Sequence, residues 1–450
     1  MTWLQRYRLR DFSRRSLWLA PTVCLGLALL VAPGVRWLDR SYNWTLFGFT
    51  TDGARALLSA IAPATLMLIG LVLTTLLLAV QLASSQMSPR LIASSMARLS
   101  VKVCLSVFVV SYVYCSSVLG RIEDHVPQLG VTVAVLLTLL SISAGLYLID
   151  FLAKELRPVR VLERTAQLGD VVIREMYPQR YEESPAAPRE VPLPDPPGKL
   201  FCLDEPGGVL LAMHPAGLVE IARSADCVIE ILPQVGDFVS ADNPLFRIYP
   251  EDAASRCDPQ LVRESLAFGH ERTMQQDPAF VFRILVDIAA KALSPAINDP
   301  TTAVLAIDQI HHLLRQVGLR RLNSGEAFDA AGQLRLVYST PNWEDFVLLA
   351  IVEIRQYGST SIQVTRRLSA MLQNLREILP EHRIPALDEQ LRLLNEGITR
   401  GFLIPQDQEY ARAGDYQGLG SPRSHGSSTA PRHVGPKPHT APADGSLRFG

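Results

Sequence analysis

The chain has 450 residues, with 43 Lys and Arg against 44 Asp and Glu and a formal net charge of −1. That length accommodates two or three domains, and the charge balance removes the bulk electrostatic basis for nucleic-acid binding, which needs a basic face. Hydrophobic residues make up 48%, yet the mean hydropathy is +0.16, so apolar residues are concentrated somewhere, and they fill the first third.

A basic cytoplasmic arm, 1–16, is followed by four charge-free runs. They are LWLAPTVCLGLALLVA between Arg15 and Arg36, ALLSAIAPATLMLIGLVLTTLLLAVQLA between Arg55 and Arg90, VCLSVFVVSYVYCSSVLG between Lys102 and Arg121, and VPQLGVTVAVLLTLLSISAGLYLI between His125 and Asp150. A spanning helix needs about 20 apolar residues to cross a hydrocarbon core roughly 30 Å thick. Helices that stay uncharged on every face are buried in protein or in lipid. The expectation is a four-helix transmembrane domain over 17–155, with spans at 17–35, 56–82, 103–120 and 130–150. Pro33 after Leu30-Val31-Ala32 fits a signal-peptidase site poorly, so the first run is read as uncleaved.

Lys and Arg set orientation. Arg6, Arg8, Arg10, Arg14, Arg15, Arg90, Arg98, Lys102, Lys154, Arg157, Arg160 and Arg164 fall on one side, against Arg36, Arg40, Arg55 and Arg121 on the other. Both termini are therefore expected in the cytoplasm. Asn43-Trp44-Thr45, on the outer side, is a glycosylation sequon that chance explains. Thr74, Gln81, Ser85 and Ser88 share one face of the second helix. Such a stripe lines a path or a subunit contact, or marks a helix end emerging among headgroups; its density at the end favours the latter. Asp150 and Lys154 are read as an interfacial pair. The runs carry no Asp, Glu, Lys, Arg or His within them, which argues against an ion-coupled transporter. Ser141-x-x-x-Gly145 permits close helix approach.

Beyond the spans, 156–197 reads as a helix followed by a Pro-rich linker. Residues 198–252 contain short β-like runs (KLFCL, GVLLAM, CVIEIL, PLFRIY) around a helix at PAGLVEIARSA. The V-G-D-F-V turn with P-L-F-R-I is similar to biotinyl and lipoyl barrels. Their attachment lysine is missing, because no Lys lies between Lys199 and Lys291. A small β-barrel-like scaffold that carries no cofactor is expected.

Residues 258–404 read as an all-α subdomain whose helices open on Asp258-Pro259, Asp277-Pro278 and Asp299-Pro300, with Thr340-Pro341 a possible fourth start. Asp caps the orphan N–H groups and Pro suits the first helical position. Arg283, Asp287 and Lys291 form an i, i+4 ladder leading into LSPAINDPTTA. There Ser294 and Pro295 close one helix, and Asn298, Asp299, Pro300, Thr301 and Thr302 open the next. This corner either presents its polar groups to a ligand or subunit, or is capping and nothing more; capping is the preferred reading. Asp308, His311 and His312 lack a further ligand, so no metal is expected. Residues 405–450, rich in Gly, Pro and Ser, are expected to be disordered.

The six cysteines (Cys24, Cys104, Cys115, Cys202, Cys227, Cys257) show no C-x-x-C spacing, so neither a disulfide framework nor a zinc ribbon is expected. AVQLASSQMSPRLI, the V-G-D-F-V stretch and QQDPAFVFRILVDIAAKALSPAINDPTTAV together resemble the bacterial predicted membrane proteins called domain of unknown function 2254. The resemblance implies a multi-pass inner-membrane protein with a cytoplasmic region, and no catalytic residues. No P-loop, G-x-S-x-G, H-E-x-x-H or G-x-G-x-x-G is present, so an enzyme is not expected. The function expected is an oligomeric channel-like or permeation protein with a cytoplasmic regulatory domain. The alternative is a membrane-anchored sensor or scaffold that binds a ligand or protein partner.

Overall fold

The computed structural model describes residues 2–42, 48–86, 99–122, 126–155, 157–181, 198–204 and 207–417. Six helices open the chain: α1 (Trp3–Arg15), α2 (Leu19–Tyr42), α3 (Thr51–Gln86), α4 (Leu99–Leu119), α5 (Gln128–Glu155) and α6 (Pro158–Met176). Three of them, α3, α4 and α5, are long and apolar enough to cross a membrane. In α2 the apolar part that can be followed, Leu19–Leu30, is shorter than a span.

The long helices alternate in direction. At one end the Arg55 guanidinium donates to the Ile122 carbonyl (2.7 Å), the Gln128 amide pairs with both backbone groups of Phe49, and Asp39 accepts from the Leu129 N–H (2.9 Å). At the other end Lys102 donates to the Ser13 carbonyl (2.9 Å). Ser141 and Gly145 are used within the chain: Ser141 is buried, and a Cβ at Gly145 would touch Leu68 and Phe108. The small-residue pair expected to serve subunit contact therefore seats α5 against α3 and α4.

The strands are β1 (Lys199–Cys202), β2 (Gly208–Met213), β3 (Val228–Ile231), β4 (Phe238–Val239), β5 (Pro244–Tyr249), β6 (Leu266–Gly269), β7 (Glu326–Phe328) and β8 (Leu334–Tyr338), with α7 (Pro215–Ser224) and α8 (Pro259–Glu264) between them. They form two sheets, in the orders β1-β5-β3-β8-β7 and β4-β2-β6. The expected β-unit at 198–252 thus lacks three of its strands. The largest departure is β8, which returns from the helical half to lie parallel to β3, with Ile229 opposite Leu336. A parallel neighbour needs a long crossover, here residues 232–333 with two long helices among them, and no local pattern announces it. Leu336 is buried in one apolar core with Ile229, Ile231 and Ile248.

The helical domain comprises α9 (Pro278–Ala292), α10 (Pro300–Gly318), α11 (Trp343–Tyr357), α12 (Ile362–Ile378), α13 (Ile384–Gly401) and α14 (Pro405–Arg412). The Asp-Pro starts act as expected: Asp258, Asp277 and Asp299 each accept a backbone N–H of the following turn. The fourth start is shifted, because Asn342, not Thr340, caps α11, in a capping box with Asp345.

The expectation of disorder from residue 405 fails over 405–417. There α14 packs on α12, the Arg366 guanidinium lies 4.4 Å over the Tyr410 ring and its Nε donates to the Ala413 carbonyl. The remainder of that expected tail, like the Pro-rich linker, lies outside the described residues.

Helix α6 belongs to this core. Leu162, Ala166, Ile173 and Tyr177 are buried with α9 and α10. Gly169 marks the closest approach: a Cβ there would lie 2.6 Å from Val281 Cγ1 and 3.1 Å from Leu313 Cδ1. Replacing Gly169 by Leu forces three helices apart and should cost about 1–3 kcal/mol, the usual penalty for overpacking. Thermal unfolding of the full chain in detergent should show a lower Tm for Gly169→Leu; an unchanged Tm would remove α6 from the core.

Candidate functional site

The polar groups singled out by sequence fall in different places. Thr74 and Gln81 are exposed on α3, and the Thr74 hydroxyl donates to the Gly70 carbonyl of its own helix (2.9 Å). The Ser85 side chain and the whole of Ser88 lie outside the described residues. Beside α3, a cleft of about 280 Å³ is lined by Phe49, Leu57, Ile61, Val135, Thr138 and Leu139, an apolar wall with one hydroxyl.

The proline corner is closed on itself. The Ser294 hydroxyl donates to the Lys291 carbonyl (2.7 Å), and the Asn298 N–H donates to the Ser294 carbonyl (2.8 Å). Asp299 accepts from the Thr302 N–H (3.1 Å) and hydroxyl (2.5 Å). Asn298 has φ +47°, a left-handed conformation that Asn tolerates better than most residues. Pro295, Asn298 and Thr301 are exposed, while Asp299 and Pro300 are half-buried. Ser294, Asp299 and Thr302 are thus spent on capping and turn bonds.

Arg283 and Asp287 form the i, i+4 pair, and it is half-buried. Arg283 is half-buried and crosses to α11, where its two terminal nitrogens meet Glu353 at 2.5 and 2.6 Å while its Nε donates to Asp287 at 2.7 Å. Bidentate guanidinium–carboxylate pairing fixes orientation as well as charge. The hydrogen bonds that Arg283 donates to Glu353 lead in holding its guanidinium above its ordinary pKa.

On the next helix pair Arg367 is buried and joins Asp308 (2.5 Å) to His311 (3.1 Å), and His311 contacts Asn374 Oδ1 at 2.9 Å. An arginine can only donate. His311 therefore accepts at Nδ1 and donates from Nε2. Burial, then the Arg367 charge, pushes the His311 pKa down to about 4. His312 points the other way, 4.0 Å from Asp170 on α6. The three side chains weighed as metal ligands serve two separate interfaces, and among the described residues no group of His, Cys, Asp and Glu could hold a metal.

Sequence reading missed where the two quoted motifs meet. The Gln276 side chain accepts from the Met213 N–H (3.0 Å) and donates to its carbonyl (3.1 Å), extending β2 in the manner of a strand. Asp277, buried, caps α9 through the Phe280 N–H (2.9 Å) and pairs with Arg272 at 2.5 Å. Burial pushes the Asp277 carboxyl up, and Arg272 opposes the shift. The Arg272 guanidinium rests on Gly236, where a Cβ would come within 2.3 Å of it. With φ +101°, Gly236 is required twice over, by its backbone and by this contact. The V-G-D turn and the QQDP segment are therefore two halves of one junction between strands and helices.

Two outcomes check these assignments. His311 binds protons more weakly folded than unfolded, so stability is highest above pH 6.5 and falls as pH drops from 6.5 towards 4. The loss is at most about 3 kcal/mol, at 1.36 kcal/mol per pKa unit. Thermal unfolding at pH 5 and 7.5 should show this slope, flattened in His311→Gln. In a double-mutant cycle of Arg283→Met with Glu353→Leu, the coupling should reach about 1–3 kcal/mol, and a value near zero would make the pair incidental.

Among curated proteins, the uncharacterized protein Rv1290c of Mycobacterium tuberculosis (strain ATCC 25618 / H37Rv) is 27% identical over 428 residues, covering 90% of this chain and 80% of that protein. The uncharacterized protein Mb1321c of Mycobacterium bovis (strain ATCC BAA-935 / AF2122/97) gives the same figures. No solved structure matches the chain. The model of the predicted membrane protein family DUF2254 matches residues 14–374, which takes in the apolar helices, the strand–helix junction and the proline corner, and the chain belongs to that family.

Proposed function

We propose that the chain is a multi-pass protein of a bacterial inner membrane, with both termini cytoplasmic, acting as a non-enzymatic sensor or scaffold. The carrying observation is mechanical. Helix α6 begins three residues after α5 ends, and its Leu162, Ala166 and Ile173 lie in the same core as α9 and α10. A displacement of the last apolar helix is thereby transmitted to packed side chains, because close-packed interiors pass strain on. The strand–helix junction at Arg272, Gln276 and Asp277 ties the second half of the region to the same core. The polar side chains described in the bundle, among them Arg283 with Glu353 and Arg367 with Asp308, hold helices together, which suits a transmitting or binding role.

In this reading α2 is the first of four spans, with Pro33 inside it, and the cationic flanks face the cytoplasm. Topology reporters fused after residues 45 and 124 should register outside, and one after residue 417 inside. A reporter after 417 that registers outside would overturn the orientation.

A second reading, an oligomeric permeation protein, draws on the outward face of α3. Met67, Leu71, Leu77 and Leu78 are exposed there together with Thr74 and Gln81, a surface that sister copies would cover. Liposome flux separates the two readings: the sensor reading expects no ion or osmolyte flux above empty vesicles, and flux abolished by Gln81→Leu would favour permeation.

A further inference from the structure

The helices of the bundle share a common polarity that places three of their turns at one end. Helix α10 runs parallel to α6, since Asp170 lies by His312, Gly169 by Leu313, and the Tyr177 carbonyl accepts from Arg320 (2.9 Å). Helix α9 runs antiparallel to both, joined to α10 by the proline corner. Helix α12 is parallel to α10, with Arg367 on Asp308 near one end and Gly318 against Leu379 at the other. Helices α11 and α13 return antiparallel: Trp343 Nε1 donates to the Arg383 carbonyl (2.9 Å), and a Cβ on Gly401 would meet the Ser359 carbonyl at 2.8 Å. The turns 293–299, 358–361 and 401–404 therefore lie at the end where α6 begins. That end is three residues from Glu155, the last residue of α5, a reach of about 10 Å at most.

At this end the bundle exposes its apolar side chains together. Ile297 is 39% exposed, Tyr357 56%, Leu403 94% and Ile404 55%. Other exposed apolar residues of this half, such as Phe238, Leu261, Phe328 and Leu348, lie on separate strands and helices, which is normal for single side chains. Around this end Lys154 pairs with Asp150, Arg160 with Glu163 and Arg164 with Glu155, while Arg400 shares Glu396 with Arg392. Most of these charges are met within the chain, so the apolar side chains are the distinctive surface of this end.

We propose that this end of the helical domain is a membrane-docking face, in which Ile297, Tyr357, Leu403 and Ile404 insert into the interface of the same bilayer that α5 crosses. The proposal rests on the spanning reading above. Its occupant is set by continuity: the chain leaves the lipid at Glu155 and re-enters structure at Pro158 on this very face. Aromatic and aliphatic side chains with a polar tip nearby suit the headgroup boundary. The proline corner acquires a purpose here. The Ser294, Asp299 and Thr302 side chains and the Asn298 N–H are satisfied internally, while the exposed Asn298 and Thr301 side chains are placed to meet headgroups.

The test uses the full chain with Cys24→Ala and Cys202→Ser, carrying one environment-sensitive fluorophore at a time on Ile297→Cys, Leu403→Cys, Met67→Cys or Phe328→Cys. The protein is reconstituted into phosphatidylcholine vesicles with brominated acyl chains, and iodide serves as the aqueous quencher. Labels at 297 and 403 should lose fluorescence to brominated lipid and resist iodide, as the label at 67 does, while the label at 328 responds to iodide alone. If 67 is quenched by lipid but 297 and 403 behave like 328, the docking face is overturned and the spanning reading stands. If 297 and 403 resist both quenchers, protein covers them, and the lipid assignment is overturned. If 67 itself escapes brominated lipid, the spanning reading fails and takes this one with it.

Discussion

The contact at Gly169 is the constraint on which the rest of the structure depends. One helix, α6, is at once the continuation of the last apolar helix and the central member of a soluble-type core. With no side chain at 169, Val281 and Leu313 close over its backbone, and three helices from distant parts of the chain share one interface. Below it lie α3, α4 and α5, whose outward faces are apolar. Around it lies a bundle whose charges are paired between helices. Few positions in the chain have so many elements meeting on them.

The polar groups of the bundle show why residue type alone is a poor guide to chemistry. Arg283, Arg367, His311 and Asp277 are the side chains that a search for reactive groups would single out. Each is half-buried or buried, and each is met by a partner that fixes its protonation or its direction. Burying a charge or a polar group is unfavourable unless a partner is provided. Here the partners come from a different helix (Glu353, Asp308, Asn374) or a neighbouring turn (Arg272). These contacts specify which helices pair, and they hold His311 neutral at physiological pH.

The proposed sensor reading and the proposed docking face depend on one geometric fact, that the turns joining α9 to α10, α11 to α12 and α13 to α14 share an end with the start of α6. Alternation of helix direction follows from the short connections in the bundle. The exposed side chains in those turns then share one end of the bundle although they are spread from residue 297 to residue 404 in sequence.

The sequence by itself determined the apolar runs, the Asp-capped helix starts and the family, because these depend on local properties: hydrophobic length, capping chemistry and motif identity. It located α7 and the V-G-D turn for the same reason. Only the tertiary structure decided that Leu334–Tyr338 joins β3 in parallel, that Ser141 and Gly145 serve internal packing, and that residues 405–417 are held by Arg366 and Tyr410. It also separated His311 from His312 and brought Gly236 under Arg272. Each of those outcomes depends on which distant segment arrives at a given face. Helical and strand periodicity record that a face will be buried, and leave unspecified what buries it.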